Sequence, residues 1–206
     1  MNYSYKDCEK YIKYNNYNYE LLLNYINFDL NDNDFFDKLL KNCKNENILK
    51  HVITNVINLE CKDIYGKRPI HYICEYSTPE MIKYIIGKGV NLECRDGYGR
   101  KPIHYICGYS TPEMIKYIID KEVDLECEGF LKMRPIHYLC QNSTPKMIKY
   151  IIDKGIKLDF NNYLQLENSI DNNDKLSIDE KDKMIEYINK SKNIKNVMVK
   201  KAIKKN

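Results

Sequence analysis

RPIHYICEYSTPEMIKYIIGKGVNLEC, beginning at Arg68, returns as KPIHYICGYSTPEMIKYIIDKEVDLEC from Lys101 and as RPIHYLCQNSTPKMIKYIIDKGIKLDF from Arg134. Pro69, Pro102 and Pro135 set the period at 33 residues. A fixed period of this size is the mark of a solenoid, in which each unit buries its apolar face only against its neighbours. The repeat therefore predicts the fold class, and it directs the search for function towards surfaces rather than a single catalytic cavity.

Each copy carries the same physical parts. A turn comes first, Asp63-Ile64-Tyr65-Gly66 and then Asp96-Gly97-Tyr98-Gly99, with glycine where a positive φ is needed. Proline follows at a first-turn helix position, where a missing N–H is harmless. A short helix then runs through Ile70-His71-Tyr72-Ile73-Cys74 in the first copy. Ser77-Thr78-Pro79-Glu80 is a helix-start signal: a hydroxyl cap, proline in the first turn, an acid close behind. The second helix bears Met81, Ile82, Tyr84, Ile85 and Ile86 as an apolar stripe at helical spacing. Gly89 and Gly155 suit a left-handed C-terminal cap. Glu122 holds that place in the middle copy and costs on the order of 1 kcal/mol if the same φ is kept.

Helix, turn, helix and turn at this period, with Arg-Pro-Ile-His or Lys-Pro-Ile-His at the head of each copy, resemble the ankyrin repeat over residues 58–156. The resemblance implies an all-α solenoid, a structural, hydrogen-bonded role for the recurring histidine, and a protein-binding groove lined by turn tips and the exposed edge of the first helix. The chain departs from the family's wording at two places. Arg68, Lys101 and Arg134 replace the signature threonine, and Ile73-Cys74, Ile106-Cys107 and Leu139-Cys140 replace a small alanine pair. This variant wording is similar to the ankyrin repeat proteins encoded by giant amoeba-infecting DNA viruses. That narrower resemblance implies a host protein as partner and the host cytoplasm, or the nucleus, as the place of action.

Weaker echoes extend the array to about six units, with degenerate capping units at both ends. Residues 48–53 lie 33 residues before 81–86, which predicts a degenerate repeat over 35–57, with Phe36 at the proline position and Leu39 and Leu40 on its first helix. Residues 1–34 read as an N-terminal capping unit. The clear repeats are 58–90, 91–123 and 124–156. Met184-Ile185-Glu186-Tyr187-Ile188 follows Met147-Ile148-Lys149-Tyr150-Ile151 at a spacing of 37, so 157–190 reads as a degenerate C-terminal capping repeat with four residues inserted within 171–174. Residues 191–206 form a basic, lysine-rich tail: from 187 to 206 there are seven lysines and no acid.

Composition excludes several classes. The net charge of +4 is mild, and no apolar run is long enough to span a membrane. The polar, tyrosine-rich start is not a secretory signal, which points to a reducing intracellular compartment. Six of eight cysteines recur in register with the repeat, so packing accounts for them better than disulfide pairing. The abundance of Lys, Asn, Ile and Tyr points to an AT-rich genome.

His71/Cys74, His104/Cys107 and His137/Cys140 each place two metal-capable groups one helical turn apart. A zinc site needs about four converging ligands, and successive units are displaced by about 10 Å, so the pairs do not converge. No phosphate loop, dinucleotide motif or nucleophile elbow is present. The expectation is a non-catalytic, monomeric chain with no cofactor and no metal.

Breaks in the repeat mark the candidate binding face. The first two tips are basic and aromatic: Tyr65, Lys67 and Arg68, with Tyr76 on the first helix, then Tyr98, Arg100 and Lys101, with Tyr109. Tyrosine and arginine are enriched in binding hot spots. The third tip replaces this set with Phe130, Leu131 and Met133, an apolar group on a loop. Lys62 and Arg95 are further variable positions, matched by Glu128 in the third copy. The basic tips predict a protein partner that offers an acidic segment. A different reading assigns the lysine tail to nucleic acid.

Overall fold

A computed structural model describes residue 40 and residues 46–55, 59–155 and 163–203, with side chains described up to residue 191 except at 48, 51, 52, 55 and 163. The expectations for residues 1–34 and for Phe36 and Leu39 lie outside the described residues. Every regular element among those described is helical. In chain order they are α1 (Glu46–Asn55), α2 (Pro69–Tyr76), α3 (Pro79–Gly87), α4 (Pro102–Tyr109), α5 (Pro112–Ile119), a single 3-10 turn (Phe130–Lys132), α6 (Pro135–Asn142), α7 (Pro145–Asp153), α8 (Tyr163–Asp171) and α9 (Ile178–Ile203).

Local chemistry explains the boundaries. Pro69 and Pro135 begin α2 and α6 immediately after Arg68 and Arg134, which are extended. The imidazole at the third helical position closes the cap. His71 Nδ1 accepts the Arg68 N–H at 2.9 Å, His104 Nδ1 that of Lys101 at 3.0 Å, and His137 Nδ1 that of Arg134 at 2.9 Å. One otherwise orphaned backbone donor is thus satisfied in each copy. Thr78 and Thr111 cap α3 and α5, accepting the N–H of Met81 and Met114 at 3.3 Å. Ser177 and Glu180 form a reciprocal capping box ahead of α9, at 3.1 and 3.4 Å.

The chain divides into two compact units, Met1–Tyr105 and Ile106–Asn206. In the first, α2 packs on α3. Ile53, Ile70, Ile73, Met81, Ile82 and Ile85 are each at most 1% exposed, so the apolar stripes of both helix classes meet in one core. In the second unit α6 packs on α8, and α7 packs on α9. Leu166 and Ile170 bury against this stack from α8, and Met184 and Ile188 from α9. The junction between α8 and α9 covers residues 172–177, whereas that between α6 and α7 covers only 143–144. Within the longer junction Asn173 is fully buried and donates from Nδ2 to the carbonyls of Cys140 and Ser143, at 2.9 and 3.0 Å. It satisfies acceptors at the end of α6 that would otherwise be orphaned.

Two details differ from the sequence reading. Met184 lies two turns into α9, whereas Met147 lies in the first turn of α7, so α9 carries an additional turn ahead of its buried stripe. Helix α9 also runs without a break from Ile178 to Ile203, so the lysine-rich segment continues the last helix instead of forming a separate tail.

Gly89, Gly155 and Glu122 all take the left-handed conformation after their helices, at φ of 78°, 76° and 55°. The middle copy therefore keeps the turn and carries the strain of a non-glycine residue in that region, about 1 kcal/mol. The third tip does the same twice, with Leu131 at 53° and Lys132 at 60°.

Candidate functional site

Each of the first two tips is built around an aspartate. Asp63 Oδ1 accepts the N–H of Tyr65 at 2.7 Å and of Lys67 at 2.8 Å, while its Oδ2 accepts the Tyr72 hydroxyl. Asp96 repeats the pattern one period later. Its Oδ1 takes the N–H of Tyr98 at 2.9 Å and of Arg100 at 2.8 Å, and its Oδ2 takes the Tyr105 hydroxyl at 2.7 Å and Arg100 Nε at 2.8 Å. Burial alone would raise the Asp96 carboxyl. Hydrogen bonds from Tyr105 and Arg100, with the Arg100 charge, outweigh burial and hold it below the ordinary carboxylate range. Burial and the facing carboxylate push the Tyr105 hydroxyl upward, so it stays a donor.

The two tips are then joined. The Gly97 N–H donates to the Tyr65 carbonyl at 2.8 Å. A Cβ on Gly97 would stand 2.6 Å from that oxygen, so only glycine permits the approach. Tyr65 and Tyr98 are thereby held on neighbouring tips of one unit. They are 55% and 46% exposed, and Ile64 beside them is 84% exposed.

The cations predicted for this face are placed differently. Lys67 donates to Glu75 at 2.7 Å and sits over the rings of Tyr72 and Tyr105, at 4.6 and 4.8 Å from their centroids. Arg100 lies over Tyr98 and Tyr105, at 5.1 and 4.8 Å, with its Nε on Asp96. Arg68 pairs with Glu60, and Lys101 with Glu93. In the second unit Arg134 pairs with Glu126 at 2.9 Å and Glu128 at 3.2 Å. The basic residue at the threonine position thus reaches an acid eight residues earlier in all three copies. Arg68, Lys101 and Arg134 brace the fold, and their side chains are mostly covered. The repeat-locked glutamates Glu60, Glu93 and Glu126 are the partners that reading the tips alone did not supply. Their constant spacing from the basic residue was the available signal.

Tyr76, on α2 of the first unit, is 38% exposed. In the second unit Tyr109 is 61%, Phe130 49% and Leu131 70% exposed, whereas Met133 is only half-exposed. The third tip keeps the backbone bonds of the other two, Gly129 N–H to the Met133 carbonyl at 2.9 Å and Lys132 N–H to the Gly129 carbonyl at 3.1 Å, without a central carboxylate. Gln165 of α8 donates to the Leu131 carbonyl at 3.0 Å and ties this tip to the last helix pair. The apolar tip therefore presents two exposed side chains, not three.

The histidines and cysteines lie inside. His71, His104 and His137 are at most 1% exposed, and His71 meets the Tyr105 ring edge-on at 5.6 Å. Burial pushes the thiols of Cys74, Cys107 and Cys140 well up, that of Cys140 to about 12, so each stays an un-ionised, inert packing group. Among the described residues no group of three or more His, Cys, Asp or Glu is placed to hold a metal ion.

Burial also lowers the His71 imidazole below its ordinary value near 6.5, against the opposing pull of Asp96. The neutral ring accepts the Arg68 N–H. A folded-state value below the unfolded one means that the unfolded chain takes up the proton first. Stability is then complete above about pH 6.5 and falls as the pH drops through that value towards the folded one. The urea midpoint is expected to be lower at about pH 5.5 than at about pH 7.5. His71→Gln keeps an acceptor at the cap without a titrating ring, and should shrink the difference. An equal difference in both proteins would remove His71 as its source.

The chain matches the family model described as ankyrin repeats (3 copies) over residues 31–128 and 71–162, together more than half of its length. No curated protein matches it.

Proposed function

The chain belongs to the ankyrin repeat family, and we propose that it acts as a non-catalytic module that binds another protein through its turn tips and the exposed edge of its first helices. Ankyrin repeats generally mediate protein–protein contacts, and no helix among the described residues is long and apolar enough to cross a membrane. The observation that carries the reading is the exposed row of Ile64 and the aromatic Tyr65 and Tyr98, locked in place by the bond between Gly97 and Tyr65. Rigid tyrosines lose little entropy on contact and supply large buried areas, which is why they recur in hot spots. Tyr76, Tyr109, Phe130 and Leu131 complete the contact residues of this reading. The AT-biased composition and the variant repeat wording support a viral source, with a host protein as the partner in the host cytoplasm or nucleus.

Nucleic-acid binding by the last helix is the second reading. The continuous run of α9 to Ile203 favours it, because the lysines of residues 190–201 then belong to one unbroken helix. Affinity capture from native cells, with and without nuclease, separates the two. The module reading expects nuclease-resistant capture of one protein that Tyr65→Ser with Tyr98→Ser reduces about tenfold. Capture that survives the tyrosine variant and is lost with nuclease assigns the binding to nucleic acid.

A further inference from the structure

We propose that the first two tips take a proline-rich segment of the partner in the polyproline II conformation, its rings and aliphatic side chains over Ile64, Tyr65 and Tyr98. This rests on the interaction-module reading and gives that site its ligand chemistry.

The tips have already spent the groups that would recognise a charge or a paired strand. Both lie in one compact unit. On the first, Asp63, Tyr65, Gly66 and Lys67 each donate their backbone N–H inside the tip, to the Lys67 carbonyl, the Asp63 carboxylate or the Asp63 carbonyl. On the second, every N–H from Asp96 to Arg100 is used, that of Gly97 by the Tyr65 carbonyl and the others inside the tip itself. These amides therefore serve neither as a nest for a carboxylate nor as donors to an added strand. The charges beside the row are compensated as well, because Lys67, Arg68, Arg100 and Lys101 lie on Glu75, Glu60, Asp96 and Glu93. The row offers rigid aliphatic and aromatic surface, together with the Tyr65 hydroxyl, which makes no hydrogen bond among the described residues.

A proline-rich chain is the complement of such a surface. Proline has no N–H, so covering it leaves no donor in need of an acceptor. The polyproline II form makes no internal hydrogen bonds, and its carbonyls are there to accept the Tyr65 hydroxyl. It is ordered before it binds, so it loses little entropy on a surface that supplies few directional bonds. Spacing agrees. Three residues complete a turn of this form and advance about 9 Å, close to the displacement of about 10 Å between successive units. One turn of ligand thus carries equivalent side chains from Tyr65 to Tyr98. Single-stranded nucleic acid also stacks on tyrosine, but it needs a basic groove along its backbone, and the four cations beside this row are held by acids of the chain.

Fluorescence anisotropy on the full chain tests this, with a labelled synthetic peptide of proline carrying leucine at every third residue. The comparison probes are the same peptide with glycine for proline, one with aspartate for leucine, and a labelled oligothymidylate. The proline–leucine peptide is expected to bind best, with an affinity that changes less than about twofold between low and high salt. Tyr65→Ser with Tyr98→Ser should weaken it about tenfold, and Tyr65→Phe, which removes only the hydroxyl, about fivefold. Lys62→Glu, which reverses a charge one residue before the first tip, should leave it within about twofold. No binding of the proline–leucine peptide, equal or tighter binding of any comparison probe, no loss in the tyrosine variant, or as large a loss in Lys62→Glu overturns the proposal. In the capture experiment, a partner that the tyrosine variant loses but excess proline–leucine peptide does not displace rejects the proline-rich ligand and leaves the module reading standing. Capture that the tyrosine variant leaves unchanged rejects the two together.

Discussion

Asp96→Ala is expected to lower the unfolding free energy by about 3 kcal/mol, because it strips partners from groups that the fold has taken out of water. The Asp96 side chain is fully buried in its ion pair with Arg100. It receives two backbone amides, the Tyr105 hydroxyl and the Arg100 guanidinium. Alanine removes the acceptor that these four donors share and takes the Asp96 carboxylate away from the Arg100 guanidinium, which lies between two rings. Tyr105→Phe removes only one of these bonds and should cost about 1 kcal/mol. The same carboxylate sets a pH response. Its folded-state value is depressed, so its contribution is present above the ordinary carboxylate value near 3.8 and is lost as the pH falls below it. That window lies well below the one set by His71. Urea unfolding with an unchanged denaturant slope measures both effects, and a loss under about 1 kcal/mol for Asp96→Ala would show that the tip does not depend on this carboxylate.

Gly97→Ala is expected to cost about 2 kcal/mol and to part the first two tips. The added Cβ would meet the Tyr65 carbonyl oxygen at 2.6 Å and its carbon at 3.2 Å, both backbone atoms that cannot turn aside. Relief requires breaking the bond from the Gly97 N–H to the Tyr65 carbonyl, and the spacing of Tyr65 and Tyr98 goes with it. The substitution therefore couples stability to binding, whereas Tyr65→Ser should weaken partner capture with little change in the urea midpoint. Ile64 occupies the same position one copy earlier and points into solvent. A Gly97→Ala protein with wild-type stability and wild-type capture would show that the two tips act independently.

Much of the fold was legible because period and chemistry agree. Proline at the head of each first helix, threonine before each second helix and isoleucine at helical spacing each name a local structure, and α2 to α7 begin where those residues place them. The binding face was legible only in part. Exposure of Tyr65, Tyr98, Phe130 and Leu131 follows from their place on tips, where the repeat buries little. The fate of a lysine or arginine does not follow from its place, because long side chains reach several partners. Lys67 and Arg100 turn onto tyrosine rings, and Arg68 and Lys101 reach back eight residues to Glu60 and Glu93. The basic substitution at the threonine position therefore serves as a brace between a helix start and the preceding turn. The additional turn of α9 was hidden for another reason: a spacing of 37 residues records that residues were added without saying in which element.

Hydrogen exchange of the full chain, free and bound to the protein it captures, tests the central claim most directly, because it reads every backbone amide of tips and helices at once. Partner binding is predicted to slow exchange at residues 62–66 and 95–99 while leaving the amides of α3 and α5 unchanged. Protection confined to α3, α5 or α9, with both tips unaltered, would contradict it.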